Sequence, residues 1–259
     1  MKGKTALITG STAGLGLAIA ERFAAEGCNT VLTGLDAQED GEETAAKLEA
    51  KHGCCVVYKR ADLRNPQEIE ALHAAAVRTF DTVDILVNNA VIRRFAPVEQ
   101  LPPEDWNQAL AVNLSAAFHT IRLTLPGMRQ KGWGRIINLA SVYSLIALPG
   151  RLDYVTTKHA IVGMTRTVAL ETASEDITCN AICPGLMHTP SAQARIEAMA
   201  AEKNISVEEA TRDFLSTRQP GGRFISMDTV TALAAFLCGP HSRDLNGALL
   251  PVDNGWSIA

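Results

Sequence analysis

The stretch Thr9-Gly10-Ser11-Thr12-Ala13-Gly14-Leu15-Gly16 follows the apolar run Lys4-Thr5-Ala6-Leu7-Ile8-Thr9 and leads into the amphipathic segment 14–26. Glycines at this spacing let a turn tighten between a strand and a helix, and they let backbone N–H groups approach a pyrophosphate. The helix opening there adds partial positive charge at the same point. Three glycines alone say little. Set between a strand and a helix they mark a dinucleotide site, with Gly10, Thr12, Ala13, Gly14, Leu15 and Gly16 around the phosphates.

The same alternation continues along the chain. Strand-like runs lie at 4–9, 29–33, 54–60, 83–87, 134–139, 177–182 and 247–251, and helical patterns near 14–26, 39–52, 66–79, 104–130, 153–174 and 226–238. The strands lack polar alternation, as expected when both faces are covered by helices in a parallel sheet. Strand–helix repetition with right-handed crossovers predicts an α/β, doubly wound parallel sheet of the Rossmann type. No linker, repeat or low-complexity tract interrupts it, so one domain over 1–259 is expected. Segment 190–217 breaks the alternation: it is polar and helix-prone, and lies between the sixth strand and Pro220-Gly221-Gly222. An insertion there sits at the carboxyl edge of the sheet, and we read it as a substrate lid rather than a decorative hairpin.

The 259 residues are 47% hydrophobic and 20% charged, with a formal net charge of −4. This is ordinary globular composition and excludes disordered, collagen-like and disulfide-scaffold classes. Nothing in the charge suggests a nucleic-acid or membrane-surface partner. Cys28, Cys54, Cys55, Cys179, Cys183 and Cys238 form no metal-binding pattern and read as buried thiols in a reducing compartment, with no metal expected. With no signal peptide ahead of the first strand and no apolar run of about 18 residues, the expected location is cytoplasmic.

Cofactor choice is read after the second strand, at Thr33-Gly34-Leu35-Asp36-Ala37-Gln38. An NADP site needs a cation for the 2′-phosphate; none occurs here or in Ser11-Thr12-Ala13, and Asp36 would repel a phosphate, so NAD is expected. Asp36 is either a ribose ligand or an exposed carboxylate. Asp62, beside Leu63 at the end of the third strand, is placed to accept from the adenine amino group or to cap a helix.

Tyr154-Val-Thr-Thr-Lys158 begins a long helix, and its i, i+4 spacing puts phenol and ammonium on one face, about 6 Å apart along the axis. A nearby ammonium stabilises a phenolate, which suits a base for an alcohol proton. Ser141 ends the run Gly134-Arg-Ile-Ile-Asn-Leu-Ala-Ser141 at the same sheet edge. Asn113 falls inside a helical pattern, where its low propensity signals a kink or a water-mediated role. Each residue alone has a structural explanation; together, behind a nucleotide loop, they point to catalysis.

These motifs, with Asn88-Asn89-Ala90, Pro184-Gly185 and the closing Val252-Asp253-x-Gly255, make the chain resemble the short-chain dehydrogenase/reductase family over essentially its whole length. By that resemblance Tyr154 is the acid/base, Ser141 holds the substrate oxygen, Lys158 binds the nicotinamide ribose and Asn113 anchors a relay water. Asn89, Ala90, Pro184, Gly185, Leu186 and Thr189 join Leu35, Asp62 and Leu63 in the cofactor set, and a homotetramer is implied. One departure is Val91, where the family usually has glycine, close to the cofactor; it is the one feature favouring a rival reading, a non-catalytic NAD-binding sensor.

Within the family, phrases such as Asn113-Leu-Ser-Ala-Ala-Phe-His119 and Asn180-Ala-Ile-Cys-Pro-Gly185 most resemble the bacterial 3-hydroxybutyrate dehydrogenases. That branch holds a short carboxylate with glutamine, histidine and lysine. The matching positions here carry Arg93, Tyr143, Arg151 and, in the lid, Arg195. Arg151 and Arg195 resemble the sulfonate-binding arginines of hydroxypropyl-coenzyme M dehydrogenases. Three arginines read as an anion clamp, with Leu145, Leu148 and Leu186 as an apolar wall and Arg94 left on the surface. The expected substrate is a short anionic 3-hydroxy acid; a hydroxyalkyl sulfonate or hydroxy dicarboxylate is the alternative. His119, His159 and His188 receive no catalytic role.

Overall fold

The computed structural model describes residues 1–259, apart from the Ser191 side chain. Seven strands form one parallel sheet: β1 (Thr5–Ile8), β2 (Asn29–Leu32), β3 (Val56–Tyr58), β4 (Ile85–Asn88), β5 (Gly134–Leu139), β6 (Ile177–Pro184) and β7 (Leu249–Val252). Their order is β3-β2-β1-β4-β5-β6-β7. β1 pairs with β2 through Ala6 opposite Thr30, and with β4 through Ala6 opposite Ile85. The order therefore reverses between β1 and β4, where carboxyl-end loops splay apart and leave a crevice.

Helices cover both faces, which is why the strands read as unbroken apolar runs. On one face α1 (Gly14–Ala25) and α9 (Met227–Leu237) bring Ile19, Phe23, Val230 and Ala234 onto Ile8 and Leu32. On the other, α3 (Pro66–Phe80) and α5 (Ala116–Lys131) set Ile69, Leu72 and Met128 against Leu7, Leu86 and Ile136. Each such side chain contributes about 1.5–3 kcal/mol by leaving water. The remaining helices are α2 (Gln38–His52), α4 (Pro103–Leu110), α6 (Leu152–Glu171), α7 (Pro190–Lys203) and α8 (Val207–Ser216).

Several boundaries differ from the sequence reading, each for a local reason. The expected strand 54–60 shrinks to β3 at the sheet edge, so Cys54 is buried but Cys55, ahead of the strand, is exposed rather than buried like the other five thiols. The expected helix 104–130 is split by a π-helical turn at Ala111–Ser115, with Asn113 at its centre. Segment 190–217 is α7 and α8. Thr189 caps α7 by accepting the Ala192 N–H at 3.2 Å, and Ser206 with Glu209 forms a capping box on α8. Ile196, Ala210 and Phe214 give this pair its own small core. Among the described residues no helix is long and apolar enough to cross a membrane.

Candidate active site

A cleft of about 810 Å³ opens at the carboxyl ends of the central strands. At its phosphate end two of the three glycines are required by space. A Cβ on Gly10 (φ +61°) would sit 2.9 Å from the Ala90 Cα, and one on Gly16 would run into the Gly10 carbonyl oxygen. Gly14 (φ +56°) has open space before it. Asn89 braces the turn, its Nδ2 donating to the Thr9 and Gly10 carbonyls at 2.9 Å. The residue before α1 is Ala13, which offers no side-chain cap, and the first turn holds no acidic residue. Its amides are thus left for an anionic ligand, and the loop fits the pyrophosphate of a dinucleotide.

Leu35, Asp62 and Leu63 line the cleft on the side of Thr12, which lies against Gly34. The Arg64 guanidinium grips the Asp62 carboxylate, with Nε 3.0 Å from both oxygens, and holds it below the usual carboxylate range. The cap of α3 is Asn65, whose side chain accepts the Gln67 N–H at 3.0 Å, so the reading of Asp62 as a helix cap is overturned. The Asp36 carboxylate lies against Gly34 on the cleft wall, where an added Cβ would meet its Oδ2 at 3.1 Å. The sequence around it has no cation, but the fold brings Arg60 from the end of β3, its Nε donating to the Leu35 carbonyl at 3.4 Å.

Ser141, Tyr154 and Lys158 share the wall at the other end of the cleft. Ser141 follows β5, and its Oγ accepts the Tyr143 N–H at 3.2 Å, which leaves the hydroxyl proton to donate elsewhere. Tyr154 is buried, and the Lys158 Nζ lies 5.7 Å from its ring centroid while donating to the Leu139 carbonyl. Burial, and then the Arg93 charge, push the Lys158 ammonium down to about 7. Asn113 is not on the cleft wall. Its Oδ1 accepts the Ile92 N–H at 2.8 Å, and its Nδ2 donates to the Ile92 carbonyl at 3.0 Å. A small cavity of about 10 Å³ touches both Asn113 and Lys158, on the scale of one water molecule.

Arg93, Arg151, Arg195 and Tyr143 line the same end. The guanidinium carbons of Arg93 and Arg151 lie 5.5 and 5.8 Å from the Tyr154 ring centroid. Burial pushes the Arg151 guanidinium down to about 10, still charged at neutral pH. A fourth arginine, Arg218, also borders the cleft; the sequence reading missed it although it stands one residue beyond the insertion 190–217. Trp256 was missed as well; its ring packs edge-on against Tyr143 at 5.4 Å, brought there by the turn after Val252-Asp253. Leu148 and Leu186 form the expected apolar wall, while Leu145 is 40% exposed and lies off it. Arg94 is on the cleft rim, ion-paired with Asp105 at 3.3 Å. Val91 packs beside Val142, Tyr143 and Tyr154.

Residues 4–200 match the family described as short chain dehydrogenase. The chain is 47% identical to the D-beta-hydroxybutyrate dehydrogenase of Cupriavidus necator, over 99% of this chain and 98% of that one. It is 35% identical to the 2-(R)-hydroxypropyl-CoM dehydrogenase of Xanthobacter autotrophicus, over 98% of each. Its fold superposes on the L-sorbose reductase of Gluconobacter frateurii, solved with NADPH and L-sorbose, with a TM-score of 0.94 at 31% identity, covering 100% of this chain and 98% of that one. The sensor reading has no support in this company, and the glycine loop belongs to a nicotinamide-dinucleotide cleft. The chain is an oxidoreductase that belongs to the short-chain dehydrogenase/reductase family.

Proposed function

We propose that the protein interconverts the secondary alcohol and ketone of a short anionic hydroxy acid like 3-hydroxybutyrate, using NAD. The observation that carries this is the meeting of Ser141, Tyr154 and Lys158 with Arg93 and Arg151 on one stretch of cleft wall. Ser141 donates its hydroxyl proton to the substrate oxygen. Tyr154 takes the alcohol proton, or returns it in the ketone direction. Lys158 stabilises the phenolate and holds the ribose, and Asn113 borders the small cavity through which a water relays the proton. The nicotinamide, when bound, accepts the hydride. Pro184, Gly185, Leu186 and Thr189 border that end of the cleft.

The lack of a cation in 33–38 supports NAD over NADP, against which stand Arg60 beside Leu35 and Arg64, held by Asp62 on the cleft wall. The same proposal includes one domain over 1–259 with α7 and α8 as its substrate lid, a cytoplasmic location and a homotetramer. Exposed Phe118 on α5 and Leu170 on α6 are apolar surface that association would cover. The arginines favour a second reading of the substrate: a hydroxyalkyl sulfonate or a hydroxy dicarboxylate.

The test is reduced-cofactor formation with purified protein, supplied with NAD or NADP and a panel of both 3-hydroxybutyrate enantiomers, malate and a hydroxypropyl sulfonate. Turnover of one 3-hydroxybutyrate enantiomer with NAD is expected. Turnover confined to NADP, or to none of these alcohols, would overturn the reading.

A further inference from the structure

Four arginines meet at the reacting end of the cleft, and the contact geometry sorts them into two pairs. Arg93 and Arg151 stand near the Tyr154 ring. Arg195 and Arg218 flank Phe214, their guanidinium carbons 5.1 and 4.9 Å from its ring centroid. Phe95 links the pairs: its centroid is 3.1 Å from the Arg151 guanidinium carbon and 4.9 Å from that of Arg195. Cation–aromatic contacts of this kind hold guanidinium groups in place without neutralising them.

Among the described residues none of the four has a carboxylate within 4.0 Å, whereas Arg94 next door is paired with Asp105. Arg151 is 7% exposed, yet its Nε has no hydrogen-bond partner. A buried guanidinium on the cleft wall, whose protein acceptor is the Arg94 carbonyl at 3.5 Å, points to a ligand acceptor for its remaining donors. Arg218, Arg151 and Arg195 all present positive charge to Tyr143, whose ring packs edge-on against Tyr154 at 6.1 Å. Arg218 is only partly engaged, with Nη1 donating to the Phe214 carbonyl at 3.1 Å and to the Thr217 hydroxyl at 3.2 Å. One carboxylate would offset a single one of these four charges.

We propose that the site takes a dianionic hydroxy acid, with one anionic group on Arg93 and Arg151 beside the reacting carbinol and a second, carboxylate or sulfonate, at the far end on Arg195 and Arg218. This rests on the dehydrogenase reading above, takes the second of its two substrate readings, and adds that Arg218 is a specificity-determining residue. The far pair sits on the α7–α8 insertion and its exit, so the second anion also ties that segment to the body of the cleft.

The test measures binding apart from turnover. Glutarate and butyrate, which carry no alcohol to oxidise, are titrated into the protein saturated with NADH, by calorimetry. Glutarate binds at least about tenfold tighter than butyrate, and R218Q and R195Q each reduce that ratio by roughly tenfold, as expected for loss of one charged hydrogen bond. R212Q, an equal loss of charge on α8 where Arg212 pairs with Glu208, leaves the ratio unchanged. A wild-type ratio near one, or a ratio untouched in both R218Q and R195Q, overturns the proposal. Reduced-cofactor formation from 3-hydroxyglutarate and 3-hydroxybutyrate is followed separately. Failure of both these alcohols and of the rest of the panel above to react would sink the hydroxy-acid reading, while the glutarate-to-butyrate ratio still decides the dianion site.

Discussion

Asn113 takes both backbone polar groups of Ile92, one through each end of its amide, at 2.8 and 3.0 Å. A π turn supplies the geometry: it rotates a side chain that a regular helix would aim elsewhere, so that it reaches the loop after β4. That loop carries Arg93, the residue that weighs on Lys158. N113A leaves two partly buried backbone groups without partners. It is expected to lower unfolding stability by about 1–3 kcal/mol, read from urea denaturation midpoints. An unchanged midpoint would mean that Ile92 is held by something else.

Gly16 is the tightest point of the phosphate loop, because a methyl there meets backbone oxygen rather than a yielding side chain. Overpacking against backbone costs about 1–3 kcal/mol. G16A should therefore weaken NADH binding by roughly ten- to a hundredfold, measured by fluorescence titration. Wild-type affinity in G16A would show that the loop relaxes freely.

Lys158 gives a pH signature whose sign is fixed. Its folded value lies near 7 against an ordinary 10.5, because burial and then Arg93 disfavour the ammonium. Between those values the unfolded chain holds a proton that the folded one lacks. The contribution of Lys158 to stability therefore rises with pH across that window and is lost as pH falls toward 7. R93Q removes the second cause, so in the ligand-free protein its Lys158 titrates at higher pH than in wild type. Carbon-detected NMR of lysine side chains reads this directly, and a downward or absent shift in R93Q contradicts it.

The thiols separate cleanly. Burial pushes Cys28 and Cys179 up to about 12 and Cys183 to about 11, whereas Cys55 alone is exposed. An aromatic disulfide reagent should titrate one thiol rapidly in the native protein and all six in denaturant, and C55S should remove the fast phase. A fast phase that survives C55S would place the reactive thiol elsewhere.

The features legible in the sequence were local. The glycine loop, the Tyr154/Lys158 spacing and Ser141 at a strand end each declare their position within a few residues, and the apolar runs announce a sheet covered on both faces. The less legible features depend on distant parts of the chain meeting. Arg218 looks like an ordinary residue of a helix exit until α8 folds it toward Tyr143. Arg60 reaches Leu35 only because β3 pairs with β2. Trp256 arrives from a closing turn held by Asp253, which accepts the Gly255 and Ser257 N–H groups. Leu145 was misplaced because the 3-10 turn at Val142–Ser144 shifts the register of the residues after Ser141. Asn113 was legible as a helix anomaly, but its partner Ile92, 21 positions away, was not.

The most direct test of the chemistry is the initial rate of NADH formation from the preferred hydroxy acid in Y154F, alongside NADH binding to the same variant. Loss of a positioned general base should lower kcat by about a hundred- to ten-thousandfold while cofactor affinity stays near wild type. A rate within a few fold of wild type would contradict the assignment of Tyr154 as the proton acceptor, and with it the mechanism built on Ser141, Tyr154 and Lys158.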